Sequence, residues 1–158
     1  MNESLFTRHI KNTINSRLKA AKAPDFEWPA LLVLGTGFGQ YHTKEILDEE
    51  FKNQASFRRY MQEEIPAAIK AFRAREAAFV KPVWVGRESE EGLYKPGVLV
   101  IQVGGGTANG WGAHVIRRPD VAPHIGEVYV YEWGGDKEFD ADIRAAFAEI
   151  LTNLRENQ

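Results

Sequence analysis

A chain of 158 residues that is 44% hydrophobic and 27% charged has the size and make-up of one globular domain. With 20 Lys and Arg against 22 Asp and Glu, its formal charge of -2 supplies no global field to recruit nucleic acid or an anionic membrane. The absence of cysteine excludes thiol catalysis, disulfides, thiolate zinc sites and iron–sulfur clusters.

The N-terminal stretch lacks the apolar run of a signal peptide, and no window approaches a membrane span, so the expectation is a soluble, cytoplasmic protein. Ser4 is a plausible N-cap for an amphipathic helix in which Phe6, Ile10, Ile14, Leu18 and Ala21 recur at helical spacing. The stretch APDFEWP, with Pro24 and Pro29, breaks it. Ala30 to Leu34, ALLVL, then reads as a short buried strand. It leads through Gly35 to His42, GTGFGQYH, into TKEILDEEF, which is helical by composition with Thr43 as its cap.

A stronger helix follows from Ser56, with Phe57, Met61, Ile65, Ala68, Ile69 and Phe72 on one face. Pro66 either kinks it or opens a second short helix. Phe79 to Val85 is strand-like but carries Pro82, which points to an edge or a bulge. A polar loop, GRESEEGLYKP, separates it from three further strand-like runs: Val98 to Val103, Gly112 to Arg117 and Glu127 to Trp133. Phe139, Ile143, Phe147, Ile150, Leu151 and Leu154 mark a last helix from a cap at Asp136.

No repeat or linker divides the chain, so the reading is a single α+β domain over residues 1–158. Its mostly antiparallel sheet has about five strands, with helices packed on one face, including N- and C-terminal helices. The first strand has a crossover long enough to pair in parallel with a later one.

In the final strand, alternation sets Val128 and Val130 against Glu127, Tyr129, Tyr131 and Trp133. Both sides carry apolar bulk, so the aromatic side needs cover from a helix, a second subunit or a ligand. The leading expectation is a small, non-catalytic binding or self-associating domain, a homodimer through this aromatic face, with Trp111 also in contact. A glycine-rich segment holding Gly104, Gly105, Gly106, Asn109 and Gly110 reads as a loop suited to a mobile lid, with Asn109-Gly110 as a turn pair.

The alternative is an enzyme or small-ligand carrier whose cavity is lined by His114, His124 and Glu127, histidine being the acid–base group that titrates near neutral pH. A third reading places phosphate or a nucleotide on Gly35, Gly37 and Gly39, where a strand-to-helix turn would present backbone N–H groups. The even spacing of these glycines does not match the dinucleotide fingerprint. No HExxH or G-x-S-x-G motif is present, and neither a metal nor a cofactor is expected.

Overall fold

Ser4 Oγ accepts the backbone N–H of Thr7 at 3.1 Å, closing the N-cap of helix α1, Leu5–Ala20. Phe6, Ile10, Ile14 and Leu18 are buried along it, one residue per turn on a single face. In this computed structural model the described residues are 3–20, 28–46, 53–85, 95–104, 107–130 and 148–157. Ala21, the polar segment 86–94 and the part of the last helix expected over residues 136–147 lie outside them.

Strand β1, Ala30–Gly35, has Leu31 and Val33 in the same core as α1, while Leu32 and Leu34 belong to a second core. Successive side chains point to opposite faces of a strand. A helical layer therefore lies on each side of β1, which explains a continuous apolar run in place of alternation. Strand β2, Tyr41–Ile46, returns antiparallel to β1, with Gly35 opposite Tyr41 and Ala30 opposite Ile46. The helix expected from Thr43 is thus corrected over residues 43–46. Lys44 and Glu45 suggest a helix by composition, but here they are the charged side chains of an edge strand, where they discourage further pairing.

Helix α2, Gln54–Arg59, is capped by Asn53, whose side chain accepts the Ser56 N–H. It passes through a π-helical turn, Tyr60–Glu64, into helix α3, Ile65–Phe72. The Ile65 N–H bonds back to the Tyr60 carbonyl, so the widened turn absorbs Pro66, which has no N–H to give and sits in the first turn of α3. Arg73 ends α3 in the left-handed conformation, with φ of 57°.

Strands β3 (Glu76–Val85), β4 (Lys95–Gly104), β5 (Thr107–Arg118) and β6 (Val121–Val130) complete an antiparallel sheet in the order β2-β1-β3-β4-β5-β6. The α+β fold stands, with six strands where the sequence suggested about five. β1 pairs antiparallel with β3, not in parallel with a later strand. Pro82 lies in a strand flanked on both sides. However, β1 pairs only with residues as far as Val80, so Pro82 falls on an overhang where one side has no ladder to donate to.

The helices divide between the two faces, where one face was expected. α1 packs with Val80, Val98, Val100, Trp111, Ala113, Val115 and Ile125. The π turn, α3 and a C-terminal helix α4, residues 148–156, pack on the other face through Met61, Ile65, Ile69, Ile150 and Leu154 against Leu32, Leu34, Ala77 and Val103. Arg17 reaches Glu45 on β2 at 2.7 Å, and Asn15 Oδ1 accepts the Ile125 N–H of β6 at 2.9 Å, so one helix is tied to both sheet edges.

Candidate functional site

The face assignments of the last hairpin follow from its register. Trp111, Ala113 and Val115 belong to the α1 core, so Gly112, His114 and Ile116 lie on the opposite face of β5. Val130 stands opposite Trp111, and Val128 opposite Ala113, which puts both valines on the α1 side. Tyr129 stands opposite Gly112 on the outer side. The alternation read from the sequence therefore holds across Val128, Tyr129 and Val130.

A Cβ on Gly112 would come within 2.7 Å of the Tyr129 ring, so the tyrosine lies flat on a strand position that only glycine leaves free. His114 packs beside it, with ring centroids 5.6 Å apart. Ile116 leans over Gly126 in the same manner, its side chain 2.9 Å from where a Cβ would sit. The second core takes in Ile101 and Ala108, but Leu99, Ile116 and Tyr129 belong to neither core cluster. Among the described residues, no helix packs on this outer half of β5 and β6.

Among the described residues β6 is a sheet edge, and its two halves differ. From Ala113↔Val128 to Val115↔Ile125, two steps on β5 match three on β6, and the same excess recurs between Ile116↔His124 and Arg118↔Val121. The first half is thus bulged twice, and it also carries Pro123. Residues 128–130 pair regularly with β5, and Val128 and Val130 are 37% and 81% exposed.

The other residues singled out in the sequence fall in several places. His114 is exposed on β5. His124 lies within β6, and its Nδ1 donates to the Ala122 carbonyl at 3.0 Å. Glu127 is exposed beside the bulge. Tyr131, Trp133, Gly105 and Gly106 lie outside the described residues.

The expected glycine loop is mostly strand. Gly104 pairs with Thr107, Asn109 with Gln102 and Gly110 with Ile101, so Asn109-Gly110 is no turn and only residues 105–106 separate β4 from β5. The glycine content signalled a loop, whereas Gly112 at least is needed because Tyr129 occupies its side-chain space. Trp111 is buried against α1 rather than presented outward.

Gly35, Gly37 and Gly39 belong to the β1–β2 hairpin, where Gly37 and Gly39 take φ of 87° and 82°. The element that follows is a strand, not the helix whose N-terminus was expected behind this turn. Arg75 lies across it, its guanidinium 4.6 Å from the centre of the exposed Phe38 ring.

Sequence reasoning missed a polar network on the α1 face. Gln102 Oε1 accepts the Trp111 indole N–H at 2.9 Å, and Gln102 Nε2 donates to Thr7 Oγ1 at 2.9 Å. Thr7 Oγ1 lies 2.8 Å from Ser4 Oγ, so a hydrogen-bonded chain runs from the helix cap to the buried indole. The signal was present: Gln102 is the lone polar residue in the run VLVIQV. Beside it, His9 stacks on Tyr41 with centroids 4.0 Å apart, and the Glu76 carboxylate lies over Gly35 against Phe6.

Burial pushes the Glu76 carboxyl above its ordinary value and the His9 imidazole below its own. Among the described residues no three His, Asp or Glu side chains are grouped to hold a metal ion, and no helix is long and apolar enough to cross a membrane. Comparison with protein-family models, with curated proteins and with solved structures finds no match to this chain.

Proposed function

We propose that the chain is a non-catalytic, self-associating domain that pairs with a second copy along the β6 edge, with the Tyr129 face beside the junction. The observation that carries this reading is Val130, which is 81% exposed, next to Val128, on a strand that among the described residues is paired on one side, with β5. An exposed strand with regular geometry and apolar side chains offers a row of unmet backbone groups to another strand.

A second copy suits this segment by symmetry. Antiparallel pairing about a two-fold axis at Tyr129 sets Val128 of each copy beside Val130 of the other, on the same side of a continuous sheet. Both valines then lose water together. The outer side of the junction would carry the two Tyr129 rings, each already held flat by Gly112. The histidine-based ligand site has less behind it, since His114 is exposed and His124 is tied to its own strand through the Ala122 carbonyl.

Sedimentation equilibrium tests the reading. The unaltered chain should give twice the monomer mass at micromolar concentration, and Val130→Lys should give the monomer mass with the circular dichroism spectrum retained. A chain that stays monomeric at millimolar concentration refutes self-association.

A further inference from the structure

Glu76 opens β3 on the α1 side of the sheet, and its cross-strand neighbours are Gly35 on β1 and Gly104 on β4. No side chain flanks it from either strand. The carboxylate leans over Gly35, where Oε2 comes within 2.8 Å of the position a Cβ would take, and the edge of the Phe6 ring reaches the same place. From Phe6 a stack of rings continues through Tyr41 to His9, with centroids 6.1 and 4.0 Å apart. A carboxylate thus lies beside an aromatic wall.

The cations nearest to it in the chain and on α1 are turned elsewhere. Arg75, which immediately precedes Glu76, donates from Nε to the Asn157 carbonyl at 3.3 Å and lays its guanidinium on Phe38. On α1, Lys11 pairs with Glu3 at 2.9 Å and Arg17 with Glu45 at 2.7 Å, while Arg8 is exposed, two residues from Phe6 and so on the far side of the helix. Among the described residues Glu76 has no ion-pair or hydrogen-bond partner, yet neither carboxylate oxygen is sealed from water. Burial of this unmatched charge is what raises the carboxyl above its ordinary value.

We propose that this place binds an alkylammonium group, with the Glu76 carboxylate taking the charge and the Phe6–Tyr41–His9 stack taking the carbon chain. A hard metal ion needs several oxygen ligands, and among the described residues no three His, Asp or Glu side chains are grouped to supply them. An ammonium is satisfied by one carboxylate and water, and aromatic rings suit its alkyl part. The two glycines then have a use, because a Cβ at Gly35 would strike the carboxylate and one at Gly104 would press on Glu76 Cβ at 3.4 Å. The site is on the opposite face of the sheet from Tyr129 and does not depend on self-association.

Titration with n-butylammonium chloride, followed by nuclear magnetic resonance against potassium chloride at equal ionic strength, tests the proposal. Backbone signals of Gly35, Tyr41, Glu76 and Gly104 should shift together and saturate at about millimolar amine, the affinity of one ion pair with a few buried methylenes. The Glu76 carboxyl should titrate at lower pH with the amine present, since an adjacent positive charge favours the ionised form. Glu76→Gln keeps the shape and should weaken binding about tenfold, the loss of a hydrogen bond to a charged group. Gly35→Ala keeps the charge but puts a methyl where the carboxylate lies, and should weaken binding too. Nα-acetyl-lysine amide, titrated in the same way, identifies the source: tighter binding than butylammonium marks a protein lysine, and weaker binding marks a small amine. Signals that drift without saturating, a Glu76 titration that does not move, or binding retained in either variant overturns the proposal.

Discussion

β1 and β6 both carry several branched apolar residues, yet in β1 every residue from Leu31 to Gly35 is buried, whereas in β6 only Ile125 is. The difference lies in what each strand has beside it. β1 sits between two strands and between two helical layers, so its apolar run has four neighbours to bury it. Among the described residues β6 has one strand and one helix beside it, and α1 reaches it at Ile125 while Val130 is 81% exposed. The same side chain thus contributes to the core in one strand and to a surface in the other.

The largest test of this contrast is truncation at matched positions. Leu32→Ala removes a fully buried side chain from β1 and should cost about 2–5 kcal/mol in urea unfolding, the range for buried leucine truncations. Val130→Ala, measured on dilute monomer, should stay within about 0.5 kcal/mol. Comparable costs at the two sites would mean that Val130 is buried by part of the chain itself, and the β6 edge would then be closed.

The contrast also marks how far the sequence could be read. α1 was legible because Ser4 supplies a cap and four apolar residues recur once per turn, a pattern with few alternatives. The alternation of Val128, Tyr129 and Val130 was legible for the same reason, since a strand has only two sides. β2 was not, because Lys44 and Glu45 favour a helix locally and only the pairing with β1 overrides that preference. The two-sided cover of the sheet was visible only in the unbroken run ALLVL, which indicates burial without saying what buries it. Gly112 was placed in a strand, but its reason was not legible: a glycine that makes room for a cross-strand tyrosine looks the same in sequence as one that bends a loop.

Gly112 gives the next test, of intermediate size. Gly112→Val pushes a side chain into the space held by the Tyr129 ring, and should cost about 1–3 kcal/mol, as overpacking does. Tyr129→Ala in the same chain should recover most of that loss. A double-mutant cycle therefore reads the coupling directly. Additive effects would show that the ring does not rest on the glycine, leaving the outer side of the hairpin without its flat aromatic surface.

The smallest expected effect lies on the covered side, at Glu76. Its carboxylate is half-buried over Gly35 and against Phe6, and among the described residues it makes no ion pair. Burial favours the neutral acid, so the folded-state value is raised. The sign follows by linkage: Glu76 contributes stability that is fully present below the ordinary glutamate value and is lost as pH rises through the raised value. His9 runs the other way, its contribution present above the ordinary histidine value and lost as pH falls through the lowered one. Glu76→Gln isolates the first effect, because His9 is common to both chains and cancels in their difference. Glutamine keeps the shape without the charge, so the variant's advantage over the unaltered chain should be greatest near neutral pH. It should shrink as pH falls through the Glu76 value in urea titrations between about pH 7 and about pH 4. A difference that does not vary with pH would place the Glu76 carboxylate in water, as open as the exposed end of β6.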